Sequence, residues 1–249
     1  MRAGLAALIG ALAVCAWPAG AARAAESARL QVTLAPNRPG ASTTIAFGFQ
    51  IAAPGGALPP ALTRLKVRLP AGMAVDTTGL ATCRAAALSR GPSGCPASSR
   101  VGAGSVAVEV PLGEVTRLER AALTVFNAPR RRGRTTLLFY AAGRVPIATQ
   151  LVFTGVIVPS ALGQTIEAAI PLIPTLPEAP DAAIVAMAST LGTRQLAYYR
   201  TVGRRRVRID PKGATVPARC PTGGFPFSAA FGFDDASSAT AAATVACPR

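Results

Sequence analysis

Eleven acidic residues and no histidine set the chemistry open to this chain. Without an imidazole, Ser-His-Asp and Cys-His catalysis are excluded, as are the common histidine-containing metal sites. No G-x-S-x-G elbow, Walker loop or dinucleotide glycine motif is present. Ser-Lys catalysis has only Lys66 and Lys212 to draw on, and Thr63 and Ile209 stand where an S-x-x-K spacing needs serine. Paired carboxylates are the remaining enzymatic route, since an acid and a second carboxylate flanking the bond suffice for polysaccharide hydrolysis. The acids to weigh are Glu109, Glu167 and Asp210. Glu109 alternates with valines and is expected on the solvent side. Glu167 stands between Ile166 and Ala168 in an apolar run, where it must reach solvent, pair with an arginine or take a raised pKa. Asp234 and Asp235 are weak candidates for a calcium site, because adjacent turn carboxylates suit a hard cation. Turn formation alone also accounts for them, and no cofactor is expected.

Two arginine clusters are the other groups able to recognise a ligand. Arg130, Arg131, Arg132 and Arg134 crowd one hairpin tip, and Arg204, Arg205, Arg206 and Arg208 crowd another stretch. Brought together they would form a patch for phosphate or another polyanion. Nucleic-acid binding usually adds stacking aromatics, and only Tyr198 and Tyr199 lie nearby. Solvated strand faces account for the same residues. The whole chain carries a net charge of +15, which points to anionic envelope polymers as partners, or to base composition. Arginine vastly outnumbers lysine beside abundant Ala, Gly and Pro, as a GC-rich genome produces.

The first residues read as a secretory leader. Arg2, an apolar run from Leu5 to Ala16 and the A-x-A sequence Ala22-Arg23-Ala24 give residues 1–24 as signal peptide and 25–249 as the exported chain. Cleavage after Ala21 is the second choice. Cys15 imitates a lipobox, but Val14 stands where a small residue belongs, so a lipid anchor is not expected. Cleavage removes Arg2, Arg23 and Trp17, leaving a net charge of +13 and no tryptophan. That shortage of aromatics argues against a carbohydrate-binding module. Four cysteines remain, Cys83, Cys95, Cys220 and Cys247. An even count in an exported chain implies disulfides, with three connectivities possible. The local pairs Cys83–Cys95 and Cys220–Cys247 are the simplest, each enclosing one turn-rich segment.

The elements that must position these groups are strands. Leu30, Val32 and Leu34 alternate with polar neighbours, as do Ile45, Phe47, Phe49 and Ile51, and then Leu65, Val67 and Leu69. Residues 76–99 are irregular, with a helical turn or two from Cys83 to Leu88. Strands resume over 101–112, 121–127 and 135–142, with Ala128–Arg134 as a hairpin tip. Residues 149–158 and 163–173 are more continuously apolar and are expected to be buried on both faces. Prolines at 159, 171, 174, 177 and 180 leave no run of spanning length, so no transmembrane segment is expected in the mature chain. Further strands are expected over 182–191, 195–201 and 204–209. Phe225, Phe227, Phe231 and Phe233 occupy alternate positions of a final hairpin that turns at Asp234–Ser237 and returns through Ala239, Ala241, Ala243 and Val245.

Turns every 8–12 residues and no long amphipathic helix predict an antiparallel β-sandwich, jelly-roll or immunoglobulin-like. A single domain is expected, the alternative being two smaller sandwiches divided near 115–120. The Cys95-Pro96-Ala97-Ser98-Ser99-Arg100-Val101-Gly102 motif leads into a strand, and the chain closes with Cys220-Pro221, Gly223-Gly224-Phe225 and Cys247-Pro248. In these motifs it resembles secreted β-sandwich proteins of high-GC actinobacteria. The resemblance covers most of the mature chain and implies no activity. The function expected is that of a non-enzymatic, extracellular or envelope-associated interaction or structural module, its partner an anionic envelope polymer or another extracellular protein. Arg-mediated polyanion binding and carboxylate-dependent polysaccharide hydrolysis are the alternatives.

Overall fold

Strict alternation of apolar and polar side chains yields strands along nearly the whole chain. The computed structural model describes residues 26–146, 148–160, 163–192 and 198–248, so the expected leader lies outside the described residues. First come β1 (Ser27–Ala35), β2 (Ser42–Ala52), β3 (Leu62–Arg68) and the short β4 (Ala74–Asp76). Three 3-10 turns, at Ala85–Arg90, Pro92–Gly94 and Ala97–Ser99, lead to β5 (Arg100–Leu112). Then follow β6 (Val115–Arg131), β7 (Arg134–Ala142), β8 (Gln150–Ser160), β9 (Gly163–Ala169) and β10 (Ala183–Leu191). A separate hairpin of β11 (Tyr198–Val202) and β12 (Arg205–Ile209) precedes β13 (Gly213–Thr215). The closing hairpin is β14 (Phe225–Phe233) and β15 (Ser238–Val245). None of the described helices is long and apolar enough to cross a membrane.

Thirteen strands form one antiparallel sheet in the order β15-β14-β3-β9-β8-β7-β6-β5-β10-β2-β13-β4, with β1 also paired to β2. The sheet folds over on itself until β1 lies against β15, where the Asn37 amide donates to the Ala246 carbonyl at 3.1 Å. Both layers of the expected all-β fold therefore come from one continuous ladder. The inner faces close on a single apolar core fed by strands from β1 to β15. The aromatic row of β14 lies at its centre, each ring no more than 2 % exposed. Phe231 meets Phe49 of β2 edge-on, with centroids 5.0 Å apart. Across the hairpin, Phe231 is opposite Ala239 and Phe227 opposite Ala243, so small partners make room for large rings.

Two expectations need correction. The hairpin tip expected over Ala128–Arg134 shrinks to Arg132-Gly133. Both take positive φ, 49° and 76°, as tight hairpins with right-twisted strands favour, while Asn127 and Ala128 are buried within β6. Secondly, the strand buried on both faces is β7, not β8 or β9. The physical reason is a second layer: the Cys83–Cys95 segment lays Leu88 over Phe126, Leu138 and Tyr140 on the outer side of β6 and β7. Asn127 ties that layer down, its side-chain amide donating to the Ala81 carbonyl (2.9 Å) and its own carbonyl accepting from the Cys83 N–H (2.8 Å).

Both disulfides are the local pairs, with Cα separations of 5.3 Å for Cys83–Cys95 and 6.1 Å for Cys220–Cys247. The second clamps the start of β14 to the end of β15. Replacing Cys220 and Cys247 together by Ala is expected to lower unfolding free energy by about 3 kcal/mol, read as an earlier urea midpoint with an unchanged far-ultraviolet spectrum.

Candidate functional site

The inner faces do not fill the space between the layers completely. Small side chains, Ala121 of β6, Ala141 of β7 and Ala168 of β9, face inward among Phe47, Phe139 and Phe153 and leave a cavity. Its walls are almost wholly apolar. Phe139 and Phe153 stack at 4.9 Å to form part of one wall, and a Cβ at Gly155 would strike the Phe139 ring, so glycine is required behind it. The space open to the centres of water molecules is about 80 Å³. A water needs roughly 10–15 Å³ on that measure, so there is room for about five to eight waters or a chain of comparable volume.

The cavity reaches solvent at one end of the sheet, where the lining residues Gly143, Thr149, Ile173, Pro174 and Thr175 are half-exposed or exposed. The β7–β8 loop is closed there by reciprocal backbone bonds between Gly143 and Thr149 (2.9 and 3.3 Å). The β9–β10 loop is tied by Ala182 N–H to the Ile173 carbonyl (2.9 Å) and by the Thr175 hydroxyl to the Pro180 carbonyl (2.8 Å). Val145, Leu172 and Leu176 on these loops stand exposed around the opening.

One charged group lines the cavity: Glu119 of β6, only 6 % exposed. Its Oε1 is buried and has no hydrogen-bond partner among the described residues. It packs on Gly143 so closely that a Cβ there would collide with the carboxylate. The sequence reading passed over Glu119, although the signal is present: it shares odd parity with Ala121, Leu123 and Val125, which puts a charge on the apolar face of a strand.

The acids singled out from the sequence lie elsewhere. Glu167 pairs with Lys66 directly across the β3–β9 ladder (3.1 Å), an exposed pair of small energetic weight. Asp210 pairs with Arg208 (3.0 Å), also exposed. Glu109 lies opposite Leu118 in the β5–β6 ladder. Asp234 Oδ1 accepts the Asp235 N–H (3.0 Å) and Asp235 Oδ1 accepts the Ser237 N–H (2.9 Å), the ordinary bonding of a carboxylate-rich turn. No group of three metal-ligating side chains occurs among the described residues.

The arginine clusters sit at the end of the sheet away from the cavity opening. Antiparallel order puts the β6–β7 turn there, with Arg130, Arg131, Arg132 and Arg134 exposed. The β11–β12 hairpin leaves from the same end, since its successor β13 pairs with the start of β2. Arg204, Arg205, Arg206 and Arg208 are exposed on it, and the Arg206 guanidinium lies 4.3 Å over the exposed Tyr199 ring. Val202 and Val207 on this hairpin are exposed as well. Asp76 of β4 lies near Arg130 and Lys212 at this end. Hydrogen bonds from Thr78, one of them from its backbone N–H at 2.8 Å, hold the Asp76 carboxyl below the usual carboxylate range, and Arg130 and Lys212 add to the effect.

No family model, curated protein or solved structure matches this chain. A depressed folded-state pKa stabilises the fold above the unfolded value and is lost as pH falls through the folded one. Asp76→Ala is therefore expected to weaken the fold at neutral pH and to flatten the loss of stability below about pH 4, measured as urea midpoints between pH 2 and pH 7.

Proposed function

We propose that the protein is a non-enzymatic, exported binding module that takes an apolar molecule into its interior. The observation that carries this reading is the apolar cavity, open at one end and lined by one carboxylate. Ligand sites are concave, mostly apolar and furnished with a few polar groups that fix orientation, and this cavity has that composition. Apolar side chains exposed at the rim, Val145, Leu172 and Leu176, support the same reading, because a sparingly soluble molecule crosses such a rim without losing apolar contact. Two disulfides suit an oxidising compartment. With a single carboxylate in the cavity, the two-carboxylate arrangement of glycoside hydrolysis is not assembled there.

Binding of a fluorescent apolar dye tests the proposal. The native protein should enhance the dye's emission saturably. Ala141→Phe and Ala168→Leu, which fill the cavity, should weaken binding about tenfold while thermal unfolding stays cooperative. Undiminished binding by both filled variants would place the dye elsewhere and remove the support.

A second reading attaches to the far end, where both arginine clusters are exposed. We propose that these arginines hold the module against an anionic envelope polymer. Retention on a polyanion column should fall steeply with salt. Replacing Arg204, Arg205 and Arg206 by Ala should move elution to lower salt without changing dye affinity.

A further inference from the structure

We infer that the ligand carries an amine head that seats on Glu119. This rests on the reading of the cavity as a binding site and names the class of molecule it takes. Glu119 is more than nine-tenths buried, lines the cavity, and leaves Oε1 without a partner among the described residues. A buried carboxylate in apolar surroundings is costly unless paired and hydrogen-bonded. Among the described residues, no cation supplies that pair. Arg117 shares the strand face of Glu119 two residues nearer the β5–β6 turn, and Arg144 follows Gly143, yet both side chains are exposed and neither reaches ion-pair distance of it. Glycine at 143 leaves room for the carboxylate in this pose, since a Cβ there would overlap it.

An ionised carboxylate is an acceptor only. Of the heads an apolar chain can bring, an ammonium supplies both donors and the opposite charge. A hydroxyl supplies a donor and leaves the charge uncompensated, and a second carboxylate adds like charge in a dry site. Seating the head on Glu119, which lies where the lining approaches Gly143 and Thr149, directs the chain inward past Ala121 and Ala141. Elsewhere the surface opposes such a ligand, because the chain's net charge is +15. Preference for an amine is thus diagnostic of the interior and not of general attraction.

The experiment is displacement of the same dye from the full exported protein by octylamine, octanol and octanoate. Octylamine is expected to displace at concentrations at least tenfold below octanoate and below octanol. Glu119→Gln is expected to bring the three within about threefold of one another, with octanol unchanged. Equal or better displacement by octanoate from the native protein overturns the inference without needing the variant. So does an octylamine preference that survives in Glu119→Gln. If octanol competes but octylamine holds no advantage, the cavity reading stands and the amine head falls; if none of the three competes, both fall. Thermal shift supplies an independent readout, since a ligand that binds only the folded state raises Tm: octylamine should raise it in the native protein and lose most of that effect in Glu119→Gln.

Discussion

The contact between Phe231 and Phe49 is the one on which the rest of the molecule depends. In the order of the sheet, β14 is next to one end and β2 is close to the other. Strand twist inclines a ladder of thirteen strands to curl, but backbone hydrogen bonds fix only neighbours and do not by themselves close the two inner faces on each other. Apolar side chains on those faces supply the drive to close, and the aromatic row of β14 concentrates it at one strand. Once Phe231 and Phe49 meet, β1 falls beside β15, the edges of the ladder shelter one another, and the core acquires its second wall. The small residues of β15 are part of the same arrangement, because larger ones would hold the layers apart.

Much of this was legible in the chain. Alternation in Ile45–Ile51, Leu65–Leu69 and Phe225–Phe233 marks strands with one dry face, and those three supply much of the core. The local cystines followed from even count and spacing. What the chain did not disclose arises from pairings between distant segments. Ala121, Ala141 and Ala168 are unremarkable separately; they make a cavity only because β6, β7 and β9 bring them to one interior. The double burial of β7 depends on a cover formed by Leu88 and its neighbours far earlier in sequence, which periodicity within β7 does not reveal. Parity puts Glu119 on the dry face of β6, whereas Glu167, with apolar neighbours in sequence, meets Lys66 across the ladder.

The two ends of the strands differ in chemistry. Loops at one end frame the opening of an apolar interior, while turns at the other carry two crowded sets of guanidinium groups. Separation by the length of a strand keeps desolvation at one end from competing with solvation at the other. On the proposed reading, surface association and interior binding do not exclude each other sterically, because the groups proposed for each are on different turns.

The 3-10 segment between Cys83 and Cys95 has a consequence for where the protein is soluble. It contributes a cover, laid over Phe126, Leu138 and Tyr140 on the outside of a sheet whose inner face is complete without it. The cystine and the Asn127 hydrogen bonds together hold this cover in place, and what it keeps from water is an apolar strip of the kind through which exposed sheets associate. The cystine thus serves the outer face of a sheet whose pairing it does not touch: it helps keep a covered strip covered, a contribution to solubility more than to the ladder.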